Sequence, residues 1–268
     1  MTGGTAGSPA AGTPAAGDRA AGRYVYGVVP AAQARELADL HGLGEPPRPV
    51  GAVVDDGLAA LVSPVEAGFT AGTRADLEAH ERVLSDAVQR TTVVPMRFGV
   101  VMDTEDVVRD TLLRRHAARL QELLQRLEGH VQMSVKAYYG EDVLVREVVR
   151  DQPEIARAEA ALRGRPEAAT RGARIALGEM VSAGVTRHRE AEERRLAERL
   201  ASVVAEVRVD PPASDRMALN AQLLVRRDRR AALDKLVEEL ARENEGRLGL
   251  RYVGPIAPYS FADVALEA

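Results

Sequence analysis

The stretch His80 to Val100, HERVLSDAVQRTTVVPMRFGV, decides how the chain is built. Val83, Leu84, Ala87 and Val88 recur at the spacing of one helix face, whereas Thr91 to Val94 are β-branched and lead into Pro95. The spacing predicts an amphipathic helix that hands over to a strand at about Arg90, where the period changes from 3.6 to 2. On that strand Thr92, Val94, Met96 and Phe98 fall on one face, and Val93, Arg97 and Gly99 on the other. Pro95 has no N–H to place in a ladder, so it marks a bulge or a sheet edge. Arg97 is either an arginine whose stem packs while its head reaches solvent or a ligand-binding charge; the first is the ordinary state of such a side chain.

Upstream, residues 1–22 are Gly, Ala, Pro, Thr and Ser with almost no large apolar side chain, a composition that predicts a disordered tail. YVYGVV from Tyr24, closed by Pro30, reads as a strand, and AAQARELADL as a short helix ending before the Pro46, Pro47 and Pro49 loop. VGAVV and LAALVSPV are two further strands separated by the turn signal Asp55-Asp56-Gly57. Downstream, Asp103 is placed to cap a long helix with Val108, Leu112, His116, Leu120, Leu123, Leu124 and Leu127 on one face, ended by Gly129. HVQMSVKAYYG, His130 to Gly140, alternates as a strand. This order over residues 23–140 suits an α+β sandwich related to the ferredoxin-like βαββαβ plan.

Residues 141–253 read as a second α+β domain with long helices and a small ββαβ sheet. DVLVREVVRD is one helix, Pro153 opens another, and Arg163-Gly164-Arg165-Pro166 breaks it. Helical spacing then runs through Ala173, Leu177, Val181, Val185, His188, Leu196 and Leu200, interrupted by Gly172, Gly178 and Gly184, each costing about 1 kcal/mol relative to alanine. Strands at residues 202–210 and 217–227 flank Pro211-Pro212, and a helix over residues 229–245 leads to LGLRYVGP. Residues 254–268 form a C-terminal tail.

A length of 268 residues suits two domains, with 46% apolar and 28% charged residues typical of a globular chain. Net charge is −4 and aromatic residues are 3%, so neither long-range attraction for phosphate nor a stacking platform supports nucleic-acid binding. Without cysteine, disulfides, thiolate nucleophiles and Cys-ligated metals are excluded. No secretory leader and no run of 18 apolar residues is present, so no membrane partner is expected and the cytoplasm is the expected location.

The five histidines, His41, His80, His116, His130 and His188, lack metal-ligand spacing, and His80 beside Glu81 is the one worth testing as a site. No phosphate-binding or nucleophile-elbow motif occurs, and no cofactor is implied. A pocket uniting Arg97, His80 and Glu81 would be needed for an enzyme. The remaining peculiar stretch is GPIAPYSFADV, Gly254 to Val264, which delivers Tyr259 and Phe261 from a proline-stiffened turn. Two aromatics so placed act as an anchor, either into the chain's own domain interface or against a partner.

Taken together, YVYGVV, HERVL to MRFG, IALGEMV and the terminal PYSF resemble, in order, the motifs of the GvpF/GvpL family of gas vesicle proteins, from Arg23 to about Val264. Ile256 and Ala257 replace the Trp and first Pro of that family's Gly-Pro-Trp-Pro-Pro-Tyr-Ser-Phe ending. The resemblance implies a two-domain, non-catalytic accessory protein, acting in vesicle assembly or as a minor component. Its implied partners are the hydrophobic shell protein and other accessory proteins, and its implied locations the cytoplasm and the gas vesicle. Arg97, Phe98, Pro258, Tyr259 and Phe261 are the expected partner-binding residues. A small-ligand regulatory module on a ferredoxin-like sheet is the alternative.

Overall fold

The computed structural model describes residues 22–262, so the predicted disordered tail and the last residues of the chain lie outside it, apart from Gly22. β1 (Gly22–Pro30) leads into a 3₁₀ helix, Ala31–Leu37, where the sequence predicts an ordinary helix. β2 (Gly51–Asp55) and β3 (Leu58–Val65) join through Asp56 and Gly57, at φ 39° and 80°. Two consecutive positive φ values give the turn whose twist matches that of the flanking strands.

α1 (Arg74–Arg90) starts with a capping box: Asp76 N donates to Thr73 Oγ1 at 3.1 Å, and Thr73 N to Asp76 Oδ2 at 3.0 Å. Thr73→Ala is expected to cost about 1 kcal/mol, read as a lower urea midpoint at unchanged slope. After α1 the predicted strand is much shorter than the β-branched run suggests. β4 (Val94–Pro95) and β5 (Val101–Met102) are two fragments lying along β1, and the backbone between them leaves the ladder, with Gly99 at φ 92°. The alternation therefore fails after Met96. Val94 and Met96 enter one core, while Phe98 packs on the opposite face, against the core that holds α1.

The next helix also departs from expectation. Its cap is Thr104, whose Oγ1 accepts from Val107 N, rather than Asp103. α2 (Glu105–Val107) runs into a π-helical turn, Val108–Arg114, and His116 separates this from α3 (Ala117–Leu127). The predicted apolar face survives because Val108, Leu112, Leu120 and Leu123 still reach one core.

β6 (His130–Tyr139) was expected to finish the first sheet. It pairs instead with β8 (Met217–Arg226) and β9 (Leu248–Ile256), at the centre of a second sheet. α4 (Val143–Asp151) and α5 (Pro153–Leu162) match the predicted helices. α6 (Glu167–Ala201) is one 35-residue helix that tolerates all three glycines. At Gly184 a Cβ would lie 2.8 Å from Val148 and Gln152, so close approach of α4 requires glycine there; Gly172 and Gly178 face open space. β7 (Glu206–Val209) is shorter than predicted, and α7 (Arg230–Glu243) precedes β9.

The two sheets are ordered β2-β3-β1-β4, with β5 also on β1, and β7-β8-β6-β9, with antiparallel pairing throughout. Counted within its own half, each order reads second, third, first, fourth, which is the βαββαβ plan. The sequence suggests that plan for the first half only; in the second, β6 converts the expected ββαβ into a complete copy. The first sheet is covered on both faces. Tyr24, Tyr26, Val29 and Leu61 pack against Val83, Leu84, Ala87 and Val88 of α1, and Val25, Val28, Val62 and Val94 against the π-turn and α3. In the second sheet Val131, Met133, Val135 and Leu223 lie beneath Leu196 and Leu200 of α6 and Leu233 and Leu240 of α7. Arg227, after β8, joins the halves by donating to the Val88 and Thr91 carbonyls at the C-terminus of α1. Those groups are otherwise left over when a helix ends.

Candidate functional site

His80 belongs to the apolar stripe of α1, one turn before Val83 and Leu84, and is completely buried. Both ring nitrogens are engaged: Nδ1 lies 2.9 Å from Tyr24 Oη, and Nε2 lies 2.9 Å from Tyr259 Oη. Tyr24 and Tyr26 stand on the same face of β1 because they are two residues apart. Tyr26 stacks on the imidazole with centroids 5.7 Å apart, while Tyr24 and Phe98 meet it edge-on at 5.7 and 5.8 Å. Such arrangements align ring edges with ring faces.

The proton positions follow from satisfying every partner. Tyr24 Oη accepts from Gly99 N at 3.1 Å, so its own hydrogen goes to His80 Nδ1. The neutral imidazole then carries hydrogen on Nε2 and donates to Tyr259 Oη, whose hydrogen passes to Glu81 Oε1 at 3.2 Å. The opposite tautomer leaves the Tyr24 hydrogen and the Glu81 carboxylate without this pairing, a costly arrangement in a buried site. Burial pushes the His80 pKa down to about 4, with the nearby Met96 carbonyl opposing the shift. Burial, reinforced by Glu81, pushes the Tyr259 hydroxyl up.

Tyr259 arrives on a hook formed by residues 257–262 after β9. Ser260 N donates to Gln132 Oε1 at 3.1 Å, and Gln132 Nε2 to Ser260 Oγ at 3.2 Å, tying the hook to the second sheet. Phe261 and Ala262 are buried in the core between the first sheet and α3, alongside Leu224 of β8. The Arg208 guanidinium lies 5.1 Å from the centroid of the Phe261 ring and donates to the Ser260 carbonyl. One short segment thus reaches α1, the first sheet's inner core and the second sheet.

A second polar cluster lies under α6. Arg247, in the turn before β9, bonds Glu147 of α4 and Glu192 of α6; Arg195 adds to Glu192, and His188 meets Glu147 at 2.9 Å. Burial alone would raise the Glu192 carboxyl, yet Arg247 and Arg195 bring it down to about 2. Each carboxylate has its counter-charge inside the chain, so the cluster braces α4 and α6 against the sheet.

Of the residues singled out from sequence, His80 and Glu81 meet through Tyr259. Arg97 is exposed on the loop after β4, Phe98 and Tyr259 are half-buried, and Pro258 and Phe261 are buried within the chain. The intramolecular reading of the tail aromatics is thus what this geometry displays. Tyr24, Tyr26 and Gln132 were not expected at a site. For the tyrosines the signal was their i, i+2 spacing in YVYGVV; Gln132, at an ordinary polar position of an alternating strand, gave none.

Fold and site together define a two-sheet α+β protein whose distinctive motifs converge on an internal clasp. The family model described as gas vesicle synthesis protein GvpL/GvpF matches residues 22–263. Gas vesicle protein F of Streptomyces sp. (strain CB03234) is 34% identical over 246 residues, covering 90% of this chain and 99% of that protein. Gas vesicle protein F of Nostoc sp. (strain PCC 7120) is 26% identical, covering 90% and 98%. The crystal structure of the gas vesicle protein GvpF from Anabaena sp. PCC7120 matches with a TM-score of 0.80 at 24% identity, covering 91% of this chain and 99% of that one. The GvpF structure from Microcystis aeruginosa gives 0.72 at 25% identity, covering 91% and 100%. The chain belongs to the GvpL/GvpF family, which ties it to gas vesicles. Among the described residues no helix is long and apolar enough to cross a membrane.

Proposed function

We propose that the chain is a non-catalytic accessory protein of gas vesicle assembly, working by contact with the hydrophobic shell protein and other accessory proteins. The observation that carries this reading is where the family motifs go. His80, Glu81, Phe98, Gly99, Tyr24 and Tyr259 fill one another's hydrogen-bonding and packing needs inside the protein, which favours a rigid platform over a reactive site. The small-ligand alternative gains nothing from this cluster, whose ring nitrogens are already occupied. Arg97 and the open rim of Phe98 would touch a partner, while Pro258, Tyr259 and Phe261 would serve by holding the clasp. The two halves, divided by their sheets near Gly129, would act as one body.

The test combines removal of the gene from a vesicle-forming host with co-purification against the shell protein. Vesicles are expected to fail without the gene and to return with the wild-type chain. Arg97→Glu is expected to weaken capture of shell or accessory protein. Normal vesicles in the deleted strain, together with no association under vesicle-forming conditions, would sink the reading.

A further inference from the structure

We propose that the outer edge of β2, with the apolar groove beside it, accepts an extended apolar strand bearing a carboxylate, supplied by the shell protein. This deepens the reading above and rests on it.

The argument starts at the two-residue turn. Because Asp56 and Gly57 alone separate the strands, Asp55 and Leu58 form a hydrogen-bonded pair, and so, alternately, do Val53 with Ala60 and Gly51 with Val62. The N–H and C=O of Ala52 and Val54 consequently point away from β3. Just upstream, Val50 N finds Leu40 O at 2.9 Å, so the outer edge is satisfied there and, among the described residues, open beyond. Ala52 is exposed and Val54 is 49% exposed, the most exposed of the strand valines among the described residues, ahead of Val253 of β9 and Val209 of β7.

The other edges are blunted. β4 contains Pro95 and breaks after two residues, β7 runs into Pro211-Pro212 and carries Arg208, and β9 carries Arg251 and Pro255. Proline, charge and brevity are the usual devices against strand addition. β2 has neither proline nor charge at its outward-pointing positions, so among the described strands its edge is the one left available.

Beside this edge a groove of about 340 Å³ runs between the 3₁₀ helix and the strand, lined by Ala34, Leu37, Ala52, Val54 and Leu61. Its charged lining residue is Arg35, exposed and without an ion-pair partner among the described residues. The free backbone groups call for an extended strand, the lining for apolar side chains at alternate positions, and Arg35 for a carboxylate.

Ala52→Pro and Val54→Pro test the edge directly, since each deletes an N–H that the fold does not use and leaves the ladder to β3 intact; Val54→Lys serves if either proline lowers the melting temperature. Co-purification with co-expressed shell protein is expected to fall about tenfold for each, the loss of one or two hydrogen bonds. Arg35→Glu is expected to weaken capture, and Arg35→Lys to retain it. Amide exchange at residues 52 and 54 is expected to slow in the wild-type complex. Wild-type capture by both proline variants, or unprotected amides in the complex, overturns the edge while leaving the wider reading intact. No capture by the wild type overturns both. Self-association that Val54→Pro abolishes, with shell capture unaffected, makes a second copy the occupant and also overturns the inference.

Discussion

His80→Ala is expected to destabilise the protein by about 3–5 kcal/mol, enough to unfold much of it at ordinary temperatures. Two losses add. Removing an imidazole packed among Tyr24, Tyr26 and Phe98 leaves a void that these rings cannot all close. It also leaves the buried Tyr24 hydroxyl hydrogen without an acceptor, at about 1–3 kcal/mol, and takes one donor from Tyr259, which keeps its bond to Glu81. Chemical denaturation monitored by circular dichroism measures the change, and a cost below 1 kcal/mol would contradict the hydrogen-bond chain. The same residue governs acid stability. Burial holds its imidazole pKa down to about 4 in the folded protein, against 6.5 for the unperturbed side chain. Between those values the unfolded state binds more protons, so stability falls as pH drops through the window, by at most about 1.4 kcal/mol per pH unit. Above pH 6.5 this contribution is constant. In His80→Ala the slope over that window is expected to flatten.

Phe261→Ala is expected to cost about as much, 3–5 kcal/mol, for a different reason. The ring is 1% exposed, in a core built mainly of the first sheet and α3, and the Arg208 guanidinium covers it. Its loss opens a cavity and loosens the hook that carries Tyr259, so His80 loses the alignment of a partner as well. Hydrogen exchange should show this as faster exchange of the Tyr259 and Phe261 amides, which bond the Ala257 and Pro258 carbonyls. A variant with wild-type stability and unchanged exchange would mean that the hook contributes little to joining the halves.

Much of the secondary structure was legible because the signals are local. The Val83, Leu84, Ala87 and Val88 spacing marks α1, and Asp55-Asp56-Gly57 marks the hairpin that became β2 and β3. What misled was information carried by distant partners. The β-branched run after Arg90 looks like a full strand, yet its pairing with β1 covers Val94 and Pro95, ends once Met96 N has reached Tyr26 O, and gives way to a turn at Gly99. β6 alternates as any strand would, and nothing local says which sheet it joins; the neighbours that decide this lie about 90 and 120 residues further on. The site was half legible. His80 and Glu81 stood out as a pair, and Tyr259 and Phe261 as rare aromatics, but no spacing rule connects a helix near residue 80 with a turn near residue 259.

The hook has a consequence for biogenesis. Most of the elements that enclose Phe261, the first sheet and α3, are complete by Leu127, whereas the ring that finishes their interior is added roughly 130 residues later, on the order of 10 s at ordinary translation speeds. Until then the nascent amino-terminal half has an unfilled hollow and one unoccupied imidazole nitrogen. A polypeptide that stops short is therefore incomplete at its beginning as well as at its end.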